Sequence, residues 1–522
     1  MHKRLHLSRR HVLGGLLATT ALPGLAQEAA APAPFSFDTL TEAMQLLAQA
    51  PYTAPPKLTP FLDGLDYDGY RNIRFDPEKA RWSDSGDMFH LHAFLPGWLF
   101  QEPVQLHEVQ DGTAMPMAFS TSDFIFFNAL EGKDPPPQTL QGVAGFRLHH
   151  PLNRADIHDE LISFLGASYF RALGRDNAYG LSARGLAMNT WREGPEEFPR
   201  FSAFWIERPA PGAQQITVWA ALDSPSVTGA YEFVIHPGTD TTVDVRSRLF
   251  FRADVAEIGV APLTSMFLYA KANRHDFDDY RPRVHDSEAL MVTRSNGDTL
   301  YRPLNNPPRV AGSYFQEMDL RGFGLIQRHR DFEAYQDKGA RYHDRPSVMI
   351  EPLEDWGPGA VRLVEIPARL EAEDNIVAFW VPQEPALAGQ ARSFAYRMHW
   401  GALPPDPGQK LAWVAETRAG QGGAAGIEQA NPNLRKFVID FEGGLLGRMD
   451  RADGLEAVIT LSAGTAKPPV LTRLPDGNGW RLVFDVDGDD APLIEISAHI
   501  AGFDRKLTEV WLYQWVREAS AG

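Results

Sequence analysis

Between positions 270 and 380 the chain concentrates the side chains that could do chemistry: Asp276, Asp278, Asp279, Tyr280, His285, Asp286, Tyr342, Asp344, Arg345, Trp356, Glu371, Glu373, Asp374 and Trp380. Carboxylates interleaved with aromatic rings are the equipment of a carbohydrate site, because sugar rings stack their apolar faces on Trp and Tyr while their hydroxyls need charged or amide partners. Glycosidic cleavage needs one carboxyl that delivers a proton to the leaving oxygen and another, ionised, that activates water or attacks carbon. With 67 acidic residues in the chain, most of them solvated surface charges, residue type alone does not choose that pair.

Other chemistries lose their support on inspection. There is no cysteine, which excludes disulfides, thiolate catalysis and cysteine-type zinc sites. The stretch Asp485-Val486-Asp487-Gly488-Asp489 resembles a calcium loop, but its glycine comes two places early and Ile496 stands where the bidentate glutamate belongs. Arg321-Gly322-Phe323-Gly324 lacks the third glycine of a dinucleotide fingerprint, and no phosphate-loop motif occurs. His90 and His92 share a strand face without an identifiable third ligand, so no metal and no cofactor are expected.

The elements that must position these residues read mostly as strands. Phe89–Phe94, Ile216–Leu222, Tyr231–Ile235 and Val243–Phe250 are short β-branched or aromatic runs bounded by turn residues, a pattern of antiparallel sandwiches rather than of an alternating α/β sheet. Two helices are predicted. One is capped by Asp38 and carries Leu40, Met44 and Leu47 on one side; the other is an amphipathic segment from Asp159 to Leu173, ended by Gly174. After the Pro-containing stretch Val381–Gln390, roughly seven strand-like runs in about 130 residues fit an immunoglobulin-like sandwich. They are Phe394–Trp400, Leu411–Thr417, Lys436–Phe441, Ala457–Leu461, Trp480–Val486, Leu493–Ala498 and Val510–Val516.

At the N-terminus, Ser8-Arg9-Arg10-His11-Val12-Leu13 opens an apolar run that ends at small residues around Ala26, the pattern of a twin-arginine export signal over residues 1–26. The run is far shorter than the ~20 residues that cross a bilayer, so a periplasmic chain without stable membrane insertion is expected. An Ala/Pro tract over 27–34 reads as a disordered spacer. The formal net charge of -17 opposes a polyanionic partner, and nucleic acid is not expected.

Several uninterrupted segments resemble the periplasmic glucan biosynthesis proteins of the OpgG/OpgD (MdoG/MdoD) family across nearly the whole mature chain. They are Tyr70–Phe75, Phe164–Phe170, Tyr179–Gly185, Ala261–Phe267, Tyr280-Arg281-Pro282 with His285-Asp286-Ser287, and Asp374–Trp380. The twin-arginine leader is closer to the OpgD branch, without settling the branch. The resemblance implies an all-β fold, a large mutarotase-like β-sandwich over 35–385 followed by an immunoglobulin-like sandwich over 391–518. It implies as partner the osmoregulated β-1,2-glucan, and as activity inverting endo-acting glycoside hydrolysis or glycosyl transfer. A noncatalytic glucan-binding factor in glucan biosynthesis and export is the alternative, and homodimer formation is left open. By matching motifs Asp374 falls on the family's general acid and Asp286 on its general base, with Glu371, Tyr342 and Arg345 lining the site. Read without the resemblance, Asp374 is better taken as capping the turn before strand Ile376–Trp380, and Asp286 as pairing with Arg281 or Arg283. Glu373 beside the acid, and His343-Asp344 after Tyr342, depart from the family pattern; a second carboxylate would raise the acid's pKa if both were buried.

Overall fold

The computed structural model describes residues 32–58, 65–83, 86–192, 194–423, 431 and 433–517. The expected leader and the spacer up to residue 31 lie outside the described residues, whereas Ala33 and Pro34, read as spacer, already pair as a strand with Ala114 and Thr113. The regular secondary structure of the described chain is nearly all strand, as the sequence predicts, and the chain packs as two compact units that are each discontinuous in sequence. No helix among the described residues is long and apolar enough to cross a membrane.

The first unit combines residues 1–175, 183–261 and 384–398. Its long antiparallel strands Arg200–Glu207, Ile216–Asp223, Val227–His236 and Thr241–Phe251 follow one another in one sheet, and a second sheet holds His90–Phe94, Gly145–His150, Asp159–Leu165 and Tyr169–Ala172. Alternation puts Phe204 and Phe233 of the first sheet against Phe146, Phe164 and Phe170 of the second. Ring centroids lie 5.0 to 5.3 Å apart at steep angles, the edge-to-face arrangement that aromatic quadrupoles favour.

The one helix of several turns among the described residues, Phe37–Leu47, buries Leu40, Ala43 and Met44 on this unit. Its cap is Ser36, whose Oγ accepts from Thr39 N while Thr39 Oγ1 accepts from Ser36 N; Asp38, the expected cap, sits in the first turn and pairs with Arg248 at 2.7 Å. The second expected helix does not form. Asp159–Leu165 and Tyr169–Ala172 are the two strands of a hairpin, turned by Gly166 and Ala167 at φ 76 and 38. Ile162, Phe164, Phe170 and Ala172 bury on one face with period two, and the two positive φ angles break any helix.

The second unit combines residues 176–182, 262–383 and 399–522. Strands Ala289–Arg294, Thr299–Pro303, Leu320–Ile326 and Ser347–Pro352 share a sheet, and Thr299–Pro303 pairs in parallel with Val510–Val516 through Leu300↔Val510 and Tyr301↔Trp511. That sheet therefore continues into Leu493–Gly502 and Leu455–Leu461, and it faces Trp413–Gln421, Leu434–Glu442 and Gly479–Asp487. Phe437, Phe484, Trp511 and Tyr513 fill the space between, with Tyr301 and Ile326 in the same apolar cluster. Each of the seven strand runs expected after residue 391 coincides with an observed strand to within a few residues, and Val510–Val516 matches at both ends.

Phe164 touches Phe146, Phe170, Phe201, Phe204 and Phe233, so Phe164→Ala leaves a cavity among rings that cannot collapse together. Urea unfolding should show a loss of about 3–5 kcal/mol. A loss below about 1 kcal/mol would mean that this aromatic layer is not where the first unit's stability resides.

Candidate functional site

The segment Met266–Phe267 anchors both candidate acids. Asp286 N donates to Met266 O at 2.8 Å. Phe267 N donates to Asn375 Oδ1 at 2.8 Å, and Asn375 Nδ2 returns a bond to Phe267 O at 2.9 Å. Asn375 is 2% exposed and also donates to Ile366 O, so the residue after Asp374 is fixed on three sides. Short strands Phe267–Tyr269 and Val284–His285 pair with an extra residue at Leu268, a bulge of the kind that re-aims side chains near sites. Ser265 Oγ and Ser287 Oγ lie 2.9 Å apart beneath it. Three of the motifs singled out in the sequence thus meet at one place, joined by the bond between the backbones of Asp286 and Met266 and by the Asn375 side-chain amide on the backbone of Phe267.

Asp286 is 5% exposed and forms an ion pair with Arg345. Arg345 is neither of the partners, Arg281 or Arg283, expected if the residue were merely structural. Arg345 is held in turn by Ala340 O, which accepts from both Nε and Nη2, and its guanidinium lies 4.3 Å from the centroid of the Tyr342 ring. The stem of Arg345 runs across Gly180, where an added Cβ would stand 2.9 Å from Arg345 Cβ and 3.1 Å from its Cδ. This contact gives the Tyr179-Gly180 motif a physical reason: any larger residue would push the arginine off Asp286.

Tyr342 is 1% exposed and its hydroxyl donates to Glu371, which also accepts from Arg281 Nη2 at 2.6 Å. Arg281 further bonds Asp279 and Asp337, the latter at 2.8 Å, and its guanidinium holds the Asp279 carboxyl down at about 2. Burial alone would push the Glu371 carboxyl up, but the hydrogen bonds from Arg281 and Tyr342 outweigh it and set it below the ordinary glutamate range. The Tyr342 phenol is raised, by burial first and by Glu371 second. One continuous chain of contacts therefore runs from Asp286 through Arg345, Tyr342 and Glu371 to Arg281.

Asp374 joins this chain through the side-chain amide of its neighbour Asn375, and is itself exposed on the loop 369–375. The turn-capping role open to Asp374 belongs to Glu373, whose Oε2 accepts from Arg369 N and Leu370 N at 3.1 and 3.3 Å. Both residues are exposed, so the two neighbouring carboxylates are not buried together. Asp344 is likewise turned aside: its carboxylate accepts from Arg341 Nε and its carbonyl from Ala178 N and Asn177 Nδ2. Trp380 is fully buried and packs near Trp356 at 6.2 Å, which makes it a core residue rather than a sugar platform.

Sequence reasoning did not find Gln327. It is 1% exposed, donates to the carbonyls of both His285 and Tyr342, and accepts from His285 Nδ1 at 2.8 Å. Burial drives the His285 imidazole down to about 3, so the ring is neutral and its Nδ1 carries the proton that Gln327 Oε1 accepts. Gln327 ties the backbone carrying Asp286 to the backbone carrying Tyr342 and Arg345. An isolated glutamine in a strand-like run carries no signal of such a role. Hydrogen bonds to the segment Met266–Phe267 thus connect one carboxylate buried against a guanidinium with another on an exposed loop.

Residues 35–515 match the family model for periplasmic glucan biosynthesis protein, MdoG. The chain is 53% identical over 515 residues to the glucans biosynthesis protein G of Cereibacter sphaeroides, covering 96% of this chain and 95% of that one. It is 42% identical over 514 residues to the protein of the same name from Rhodopseudomonas palustris, covering 98% and 100%. Among solved structures, a galactose mutarotase related enzyme from Lactobacillus acidophilus aligns over 51% of this chain and 93% of its own, at 9% identity and a TM-score of 0.20, too low to bear on the reading.

Because Glu371 is depressed in the folded state, its contribution to stability is present above the unfolded glutamate pKa and is lost as the pH falls through the lowered value. Tyr342→Phe removes one of its two main donors, so the Glu371 carboxyl, followed by 13C NMR during acid titration, should move up toward the ordinary range near ~4.3. An unchanged titration would assign the whole depression to Arg281.

Proposed function

The chain belongs to the periplasmic glucan biosynthesis protein family, MdoG, and from that premise we propose that it cleaves or transfers the β-1,2-glucan backbone by inversion, with Asp374 as general acid and Asp286 as general base. The observation that carries this reading is the unequal setting of the two carboxylates on one anchor: Asp286 buried on Arg345, Asp374 open at the end of a loop pinned by Asn375. A base must present an ionised oxygen in a fixed direction, and a guanidinium partner held by Ala340 O and Gly180 supplies that orientation. An acid must meet the leaving oxygen, and an exposed carboxyl on a rigid loop base can do so without displacing core groups.

In the proposed sequence, substrate lies with its scissile oxygen toward Asp374 and the opposite face of the anomeric carbon toward Asp286. Asp374 donates its proton to the departing oxygen as the C–O bond breaks. Asp286 takes a proton from water, or from an acceptor hydroxyl in the transfer reaction, as that oxygen bonds to carbon. The proton can pass through an intervening water or sugar hydroxyl, so Asp286 need not touch the attacking oxygen. Glu371, Tyr342 and Arg345 would hold the sugar beside this pair, with Tyr342 and Arg345 setting the floor and Glu371 accepting hydroxyl protons at the rim. Export through the twin-arginine route, and a division into a glucan-processing sandwich over 35–385 and an immunoglobulin-like sandwich over 391–518, belong to the same proposal.

Purified protein incubated with linear β-1,2-glucan should yield shortened or rearranged chains by chromatography. Asp374→Asn and Asp286→Asn should each lower turnover at least ~100-fold while glucan binding by calorimetry changes little, because the amides keep shape but neither deliver nor take a proton. Intact glucan that binds the wild-type protein without being altered would replace this reading with that of a noncatalytic glucan-binding factor.

A further inference from the structure

The segment 283–288 that carries Asp286 is gripped at both ends by buried charges. At its start, Arg283 is 2% exposed and its Nη2 lies 2.5 Å from Glu416 Oε2. At its end, Glu288 accepts from His329 Nδ1 at 2.8 Å, from the backbone N of Arg328 and His329, and from the Tyr301 hydroxyl at 2.7 Å. The two grips meet in one imidazole, because His329 Nε2 stands 3.0 Å from Arg283 Nη2 and 3.7 Å from Glu416 Oε2. Glu416 also takes Lys271 Nζ at 2.6 Å and Arg418 Nη2 at 3.5 Å, so one carboxylate balances several cations.

Glu416 is on the strand Trp413–Gln421, far from Asp286 in sequence, and no motif marks it. Its place is built by the backbone: the pairing with Leu434–Glu442 shifts between Val414 and Glu416, leaving Ala415 as an extra residue. Such a bulge reverses which face the following side chain takes, and here it accompanies a glutamate whose side chain is 11% exposed among cations. A buried ion cluster is a poor source of stability, since desolvation of each charge offsets most of the attraction. Its effect is to fix directions.

We infer that Glu416 is a positioning residue for Asp286, acting through Arg283 and His329 to hold the segment 283–288 so that the Asp286 carboxylate stays aimed at the reaction site. The inference rests on the base role proposed above for Asp286. Glu416 touches no part of the site itself, so its loss should slow the chemical step and leave substrate affinity alone.

The test is Glu416→Gln, which keeps size and removes the charge. With β-1,2-glucan as substrate, kcat should fall about 10- to 100-fold with KM within about 2-fold, the signature of a displaced catalytic group. Glu416→Asp, which restores the charge at shorter reach, should recover part of the lost kcat. Wild-type kcat in Glu416→Gln, or a loss confined to KM, overturns the inference. If Glu416→Gln does not fold, His329→Gln, which breaks the link between the two grips, is measured in its place, and a wild-type kcat there overturns the inference equally. Hydrogen exchange of peptides covering 283–288 separates this from failure of the enzymatic reading. Faster exchange in Glu416→Gln than in the wild type is expected even if neither protein alters glucan, and equal exchange overturns the positioning role.

Discussion

A carboxylate buried on a guanidinium is the constraint around which the second unit is arranged. Asp286 is 5% exposed, and an acidic side chain at that depth is tolerated only with a partner whose own position is fixed. Arg345 meets the condition because Ala340 O holds both its Nε and Nη2, Tyr342 lies beneath its face, and Gly180 leaves room for its stem. Gln327 then fastens the two stretches of backbone that supply acid and cation. Each of these residues is explained by the need to keep one ion pair in one orientation.

The same constraint explains why strands from the C-terminal part of the chain belong to the unit that holds the site. The sheet containing Ala289–Arg294 and Thr299–Pro303 continues into Val510–Val516, and the apolar layer of Phe437, Phe484 and Trp511 includes Tyr301. Tyr301 in turn donates to Glu288, two residues after Asp286. A core that ends in a polar handle transmits rigidity from apolar packing to a charged segment, at the cost of burying that handle with every hydrogen bond satisfied.

Much of this was legible in the sequence, and the parts that were not share a cause. The all-β class and the strands after residue 391 were readable because their side chains alternate with period two between turn residues. The hairpin Asp159–Ala172 reads as a helix in the sequence because Leu161, Phe164 and Leu165 also satisfy a helical spacing, and the positive φ angles of Gly166 and Ala167 leave no mark that a helix-ending glycine would not. Ser36 and Asp38 compete as the helix cap in the sequence because both residue types cap helices, and only the backbone geometry distinguishes them. At the site, Asp286, Arg345, Tyr342 and Glu371 could be named by resemblance, and they do contact one another in sequence of bonds. Gln327, Asn375 and Glu416 could not, because their work is to hydrogen-bond backbone or to balance charge across a fold, which no local pattern encodes.

If Asp286 activates an oxygen through space and Asp374 protonates the leaving group, no glycosyl-enzyme forms and the reaction is a single displacement at the anomeric carbon. The most direct measurement is the anomeric proton spectrum of wild-type protein acting on linear β-1,2-glucan, recorded in the first moments of turnover before mutarotation. An α-anomer appearing first is the predicted result, whether the acceptor is water or a sugar hydroxyl. A β-anomer appearing first would contradict it, since retention requires a nucleophile bonded to carbon and leaves the Asp286–Arg345 pair without the proposed role.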